Sequence, residues 1–201
     1  VKITMDAAYT IAGTGYLQNP DKIGHGYSKK KVTHKPGSKL TWHFIAPDVH
    51  DFAWAADPDY KHDIVKFDDN LDLHFFYLDD STSTPNWKKL PGYTVECFKL
   101  MNQMVGRYPY KQYSVIQGGD GGMEYPMATL ITGGRNLGGL VSVTVHEAVH
   151  SWFQLLLGTN ESKYGWMDEG FTNYAQGEIM ARIMNSGQVT PFPHAGIYNS
   201  Y

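Results

Sequence analysis

His146, Glu147 and His150 stand together in the run His-Glu-Ala-Val-His. On a helix, residues four apart share one face, one turn above each other. Two imidazoles so placed can each aim a nitrogen at one point, as a tetrahedral Zn2+ requires of its ligands. Glu147 lies about 100° around the helix from His146. It can therefore reach a water beside such a metal without binding the metal itself. The chemistry this arrangement offers is metal-assisted hydrolysis with a carboxylate as general base. The plainer alternative is a pair of buried histidines satisfied by backbone carbonyls.

A catalytic zinc usually takes a third protein ligand. Downstream the acidic candidates are Glu161, Asp168, Glu169 and Glu178. Glu161 lies in the polar turn Thr159-Asn160-Glu161-Ser162-Lys163 and reads as solvated. Glu178 lies deeper in the following helix and is expected on its outer face. Asp168 suits an N-cap, accepting free backbone N–H groups at the helix start. Glu169 is then left to point at the metal.

The elements that must position these groups follow from periodicity. Residues 140–157 are apolar nearly all round and should form a buried helix. Buried histidine and glutamate side chains there need partners, or each costs several kcal/mol, of order ~2–7. A second helix is expected over 168–184. An earlier one is expected from about 90–93 to 107, with Val95, Phe98, Met101 and Val105 at helical spacing and Pro109 beyond its end. Strands are expected at 113–117 and 127–132, joined by a glycine-rich turn at 118–122. Residues 62–67 and 71–78 read as a hairpin around Asp68-Asp69-Asn70. Before that, residues 1–5, 9–12, 39–44 and 51–56 read as strands punctuated by Gly, Pro and Asn. The texture changes after Asp57-Pro58, and a domain boundary is expected near Asp57 to Lys61.

These blocks resemble the gluzincin aminopeptidases, the family of aminopeptidase N. Eighteen residues separate His150 from Glu169, as in that family. Gly121-Gly122-Met123-Glu124-Tyr125-Pro126 resembles its Gly-x-Met-Glu-Asn exopeptidase motif. Trp166-Met167-Asp168-Glu169-Gly170-Phe171 is similar to the block around its third zinc ligand. The resemblance covers residues 121–174, with weaker support upstream at Ala12-Gly13-Thr14-Gly15. It implies an α+β chain. Residues 1–58 would be the end of an N-terminal β-sheet domain, and 59–201 the first half of a thermolysin-like domain with a mixed sheet and a zinc-binding helix pair. It implies one Zn2+ per chain, held by His146, His150 and Glu169, with Glu147 as general base and acid. Glu124 would hold the free α-amine of a peptide substrate, and Gly121 and Gly122 would line the backbone of its groove. Read by itself, Glu124 is an ordinary turn carboxylate.

Three positions depart from the family pattern. Tyr125 stands where Asn usually follows the amine-binding Glu, Asp168 where Asn usually precedes the third ligand, and Gln176 where Glu often follows seven residues after it. The family's oxyanion-stabilising Tyr is implied several dozen residues past Glu169, and Tyr198 and Tyr201 are too early for it. The chain therefore reads as a fragment, inactive by itself. Two alternatives stand beside the aminopeptidase reading: a non-catalytic relative that binds peptides, and a zinc hydrolase of a different substrate.

Composition narrows the classes further. The formal charge is −3, and no basic run exceeds Lys29-Lys30-Lys31, a solvated loop. Nucleic acid is not an expected partner. The longest apolar run is broken by His146, Glu147, His150, Ser151 and Gln154, so no transmembrane segment is expected. Cys97 is the only cysteine, which rules out an intrachain disulfide and leaves the compartment open between cytoplasmic and exported.

Overall fold

The structure is a computed structural model, and it describes residues 1–119 and 121–184. In chain order, β1 (Lys2–Asp6), β2 (Thr10–Gly13) and β3 (Tyr16–Leu17) precede a short α1 (Pro20–Ile23). Then come β4 (Lys39–Ile45), β5 (Trp54–Asp57), β6 (Tyr60–Lys66) and β7 (Asp72–Leu78). Helices α2 (Thr84–Trp87) and α3 (Leu90–Met104) lead to β8 (Gln112–Gly118), β9 (Gly122–Tyr125) and β10 (Ala128–Thr132). Helix α4 (Leu137–Phe153), a π-helical turn (Trp166–Gly170) and α5 (Phe171–Met184) complete the described residues.

Two small antiparallel sheets, β1-β4-β3 and β2-β5, come from the first part of the chain. The third sheet has the order β6-β7-β8-β10-β9. Its strands β7, β8 and β10 run parallel, and β6 and β9 close the two edges antiparallel. The interior strand β7 reads Asp-Leu-His-Phe-Phe-Tyr-Leu, buried from Leu73 to Tyr77. Near-continuous apolar character is what a parallel strand covered on both faces needs. Leu73, Phe75 and Tyr77 of β7, with Tyr113 and Val115 of β8, pack against α3, α4 and α5. Phe76 and Ile116 turn the other way, against Ala12 and Ala128. Ile11, Ile23, Trp42 and Phe44 form a separate small core among the first strands. The passage from β5 to β6, at residues 57–60, is where the chain leaves the two-stranded sheet for the five-stranded one.

Several expectations shift. The segment read as a glycine-rich turn ends in a strand, β9, whose Ala128↔Tyr125 and Thr129↔Glu124 pairs join it to β10. The four residues of β9, flanked by the left-handed Gly121 (φ 77°) and, after Pro126, Met127 (φ 59°), carry too little alternation to be read as a strand. Helix α4 ends at Phe153 rather than 157, and Leu156 and Leu157 are exposed before the left-handed Gly158. In α3 the buried stripe is Leu90, Thr94, Cys97, Phe98 and Met101, while Val105 lies past the helix end and is exposed. Strand and helix bounds elsewhere move by a few residues, and β5 starts at Trp54 rather than at 51.

Candidate metal and catalytic centre

Asn136 caps α4, its side chain accepting from the Gly139 N–H at 2.8 Å. The helix runs behind the five-stranded sheet with Val141, Val145, Ala148, Val149 and Trp152 buried in the main core. That packing fixes the opposite rim, where His146, Glu147 and His150 project. The Nε2 atoms of His146 and His150 lie 3.3 Å apart. Glu169 Oε2, from the π-helical turn, is 3.2 Å from His146 Nε2 and 3.8 Å from His150 Nε2. Ligand bonds of 2.0–2.2 Å in a tetrahedron put neighbouring donors ~3.4 Å apart, so the spacing suits one small cation.

The protons point to the same fit. Gln176 Nε2 donates to the Ser142 carbonyl and hydroxyl, each at 3.0 Å. Its Oε1 therefore faces His146 Nδ1, 3.0 Å away, as an acceptor. Asp168 Oδ1 stands 2.6 Å from His150 Nδ1, with Thr172 Oγ1 at 3.2 Å. His146 thus keeps its proton on Nδ1 and turns the Nε2 lone pair outward, while the His150 ring, whose contact with Asp168 lacks hydrogen-bond alignment, meets Thr172 at Nδ1 and His146 at Nε2. A cation between the two Nε2 atoms would take a lone pair from each ring. His146, His150 and Glu169 each offer one donor atom, and these atoms lie within 4.8 Å of one another. A second overlapping set, Glu124, Glu147 and His150, has the same property.

Asp168 does not cap a helix as expected. It is buried, and the wide π turn presents it and Glu169 together to the two histidines. Insertions of this kind are frequent at functional sites. Glu161 is exposed, as expected, and also accepts from the Gln154 amide. Glu178 is not on an outer face: its side chain is 16% exposed and lies 3.9 Å from Arg182 Nη2.

Glu147 is 5% exposed, and burial, then the neighbouring Glu124, push its carboxyl up to about 8. Burial likewise raises Glu124 to about 7, with Asp168 and Glu169 adding to the effect. Burial lowers His150 to about 4, and His146 adds to the shift. Four carboxyl groups converge here with no cationic side chain among the described residues between them, a field that a divalent metal would neutralise. Glu124 sits on the edge strand β9 rather than on a turn. Gly122, on the same strand, has no room for a side chain: a Cβ would collide with Glu147 Oε1 and come within 2.6 Å of Val143 Cγ2. Gly121 is held by Thr132 and by Arg135 Nη2, which donates to its carbonyl at 3.1 Å.

Sequence reasoning named Gln176 only as a departure and missed Thr172, Ser142 and Arg135. Ser142 was findable: it precedes His146 by four residues and so shares its helix face. Tyr198 and Tyr201 lie outside the described residues. Among the described residues no helix is long and apolar enough to cross a membrane.

No family model matches the chain. Aminopeptidase B of Rattus norvegicus is 44% identical over 65 residues, 29% of this chain and 9% of that protein. Leukotriene A-4 hydrolase of Xenopus laevis is 31% identical over 99 residues, 45% of this chain and 16% of that protein. The M1 zinc metallopeptidase of Deinococcus radiodurans superposes with a TM-score of 0.66 at 19% identity, over 92% of this chain and 40% of that one. A variant of it bound to a Tyr-Ser-Ala substrate gives 0.65 at 17% identity, over 94% of this chain and 40% of that one. The chain matches less than half the length of each of these proteins.

Proposed function

We infer that this chain, a gluzincin of the M1 zinc metallopeptidase kind, supplies the metal-binding and water-activating part of a zinc-dependent aminopeptidase. The observation that carries this reading is the convergence of His146 Nε2 and His150 Nε2, 3.3 Å apart, with Glu169 Oε2 facing both. His146, His150 and Glu169 would hold the zinc. Residues 1–58 are proposed as the end of an N-terminal β-domain and 59–201 as the first part of a thermolysin-like catalytic domain.

Bound there, zinc would supply Lewis acidity and lower the pKa of a water to about 7. Glu147 then works as a base: its carboxylate takes a proton from the attacking water and returns it to the leaving amine. Gln176 holds the His146 ring in the tautomer that leaves Nε2 free, and Thr172 and Asp168 lie against Nδ1 of His150 and help fix where that ring points. Glu124 pairs with the ammonium of a peptide's first residue, which sets the register at the first peptide bond. Gly121 and Gly122 leave the edge of β9 open to the substrate backbone, since Gly122 carries no side chain between that edge and Glu147. The curated relatives' names, aminopeptidase B and leukotriene A-4 hydrolase, favour a hydrolytic enzyme over a non-catalytic binder.

The test is made on the whole protein. One zinc per chain by elemental analysis, and cleavage of leucyl or alanyl amides but not of their N-acetylated forms, is the expected result. A blocked amine leaves the half-buried Glu124 unpaired, a penalty of several kcal/mol, about 2–5, on the wrong substrate. Equal cleavage of free and acetylated substrates would return Glu124 to an ordinary carboxylate and remove the aminopeptidase reading. Absence of stoichiometric metal after zinc addition would remove the hydrolase reading as well.

A further inference from the structure

Away from the metal centre, four histidines converge where the first strands meet the five-stranded sheet. Residues 24, 25 and 26 are all left-handed, with φ of 72°, 45° and 83°. Glycine adopts that conformation freely, but His25 does so at a cost of order 1–2 kcal/mol. Something must hold this loop, and the hydrogen bonds show what does. His62 Nδ1 is 2.9 Å from the His25 carbonyl. A carbonyl only accepts, so Nδ1 carries the proton and His62 Nε2 is left an acceptor. His62 Nε2 lies 2.9 Å from His74 Nδ1, which must therefore be the donor. His25 Nε2 reaches the Ala7 carbonyl at 3.0 Å and its Nδ1 meets Thr10 Oγ1 at 3.0 Å. His34 Nε2 reaches the Ile23 carbonyl at 2.7 Å. Every tautomer in the chain is dictated, and the arrangement has room for no extra proton between His74 and His62.

The surroundings are aromatic. His62 stacks on Phe76 with ring centres 4.0 Å apart, and Tyr27 lies 4.5 Å from His62 and 5.6 Å from His74. Gly26 passes so close that a Cβ there would stand 2.7 Å from His62 Nδ1. We propose that the His74–His62–His25 chain is an acid-released clasp: it pins the 23–27 loop, and the strands around it, to the edge of the five-stranded sheet, and lets go when the two imidazoles take up protons. A proton on His62 Nε2 would face the N–H of His74, replacing a hydrogen bond by a repulsion between cations. The titratable groups facing the pair are His25, with His34 stacked on it, and Tyr27 from the loop, Asp63 on β6, and Asp72 and Lys111 at the mouth of the cavity that His74 lines. Among the described residues the His25 carbonyl and then Asp63 favour a charged His62, and burial outweighs both.

Burial lowers His62 to about 4 and His74 to about 3, from 6.5. Both folded values are depressed, so the unfolded loop binds more protons below 6.5. The clasp is intact above about 6.5 and is lost as pH falls through about 4 and 3. The opening constant should rise toward tenfold per pH unit for each histidine. Hydrogen exchange of the whole protein at about pH 7 and pH 4.5, corrected for intrinsic rates, should show protection lost first over residues 10–27 and retained in β8 and β10. His62→Gln keeps neutral hydrogen bonding without the titration, so its acid response there should flatten. An unchanged response in His62→Gln, or acid loss spread evenly over the sheet, would overturn the clasp. Imidazole nitrogen spectra of the unmutated protein decide the matter even where that variant fails to fold. His62 and His74 should be neutral Nδ1–H tautomers at about pH 5.5, and ordinary titration near 6.5 by either would also overturn it.

Discussion

Glu147 is the residue on which the proposed chemistry turns, and its setting makes its contribution separable from metal binding. It is not among the three groups that fit the ion at His146, His150 and Glu169. Glu147→Gln should keep the zinc and lower kcat by about 10² to 10⁴, since an amide cannot accept the water's proton. Metal analysis beside steady-state kinetics checks both halves, and near-normal turnover would take Glu147 out of the mechanism. Gly122 gives a second test from the opposite side of the site. A methyl group there must displace Glu147 Oε1 or Val143. Gly122→Ala should therefore reduce kcat on the order of 10²-fold through misplacement of the base, with zinc content unchanged. Unaltered kinetics would mean that β9 shifts at no cost to the site.

At the scale of elements, α4 and the π turn divide the work. Helix α4 carries both histidines because its other faces are locked into the main core. The π turn brings two consecutive carboxylates, Asp168 and Glu169, to the same pair of rings. The start of α4 depends on Asn136, whose side chain satisfies the Gly139 N–H ahead of a glycine pair poorly suited to a helix. Asn136→Ala should cost ~1 kcal/mol of stability in urea unfolding. The same change should leave KM nearly unaltered, since the cap lies more than two turns before His146. A large KM effect would indicate that the 133–136 segment, through Arg135 and Gly121, sets the groove edge more directly.

For the whole molecule, metal and pH act on the same buried charges. Without metal, Glu124 and Glu147 are raised to about 7 and 8, so the folded state holds protons that the unfolded chain has released. The stability these groups contribute is present below the ordinary carboxylate range near 4.5 and is lost as pH rises through about 7 and 8. His150, lowered to about 4, has the opposite sign: its contribution is present above 6.5 and lost as pH falls through about 4. The chelated protein should thus be most stable in mild acid, and its urea midpoint should fall from about pH 5.5 to pH 8. Zinc at 100 times its Kd should add about 2.7 kcal/mol. A chelated form as stable at pH 8 as at pH 5.5 would show that the carboxyl groups at this site are solvated.

What the sequence determined by itself was local and periodic. Spacing four along one helix face brought His146 and His150 together, and the apolar run around them required that helix to be buried. The β6–β7 hairpin was equally legible, because runs of six or seven residues carry their own pattern. Tertiary structure decided what contact alone can decide. β9 became a strand only by pairing with β10, since four residues between two left-handed positions have no pattern of their own. Asp168 left the expected helix cap for the His150 ring because the π turn changed the direction of its side chain. Gln176 became the support of His146 only when α5 was laid against α4, thirty residues apart in sequence. The histidine chain from His74 to His25 joins residues from β7, β6 and the 23–27 loop. No spacing rule announces such a chain, because its order depends on which carbonyl each ring meets after the sheets have packed.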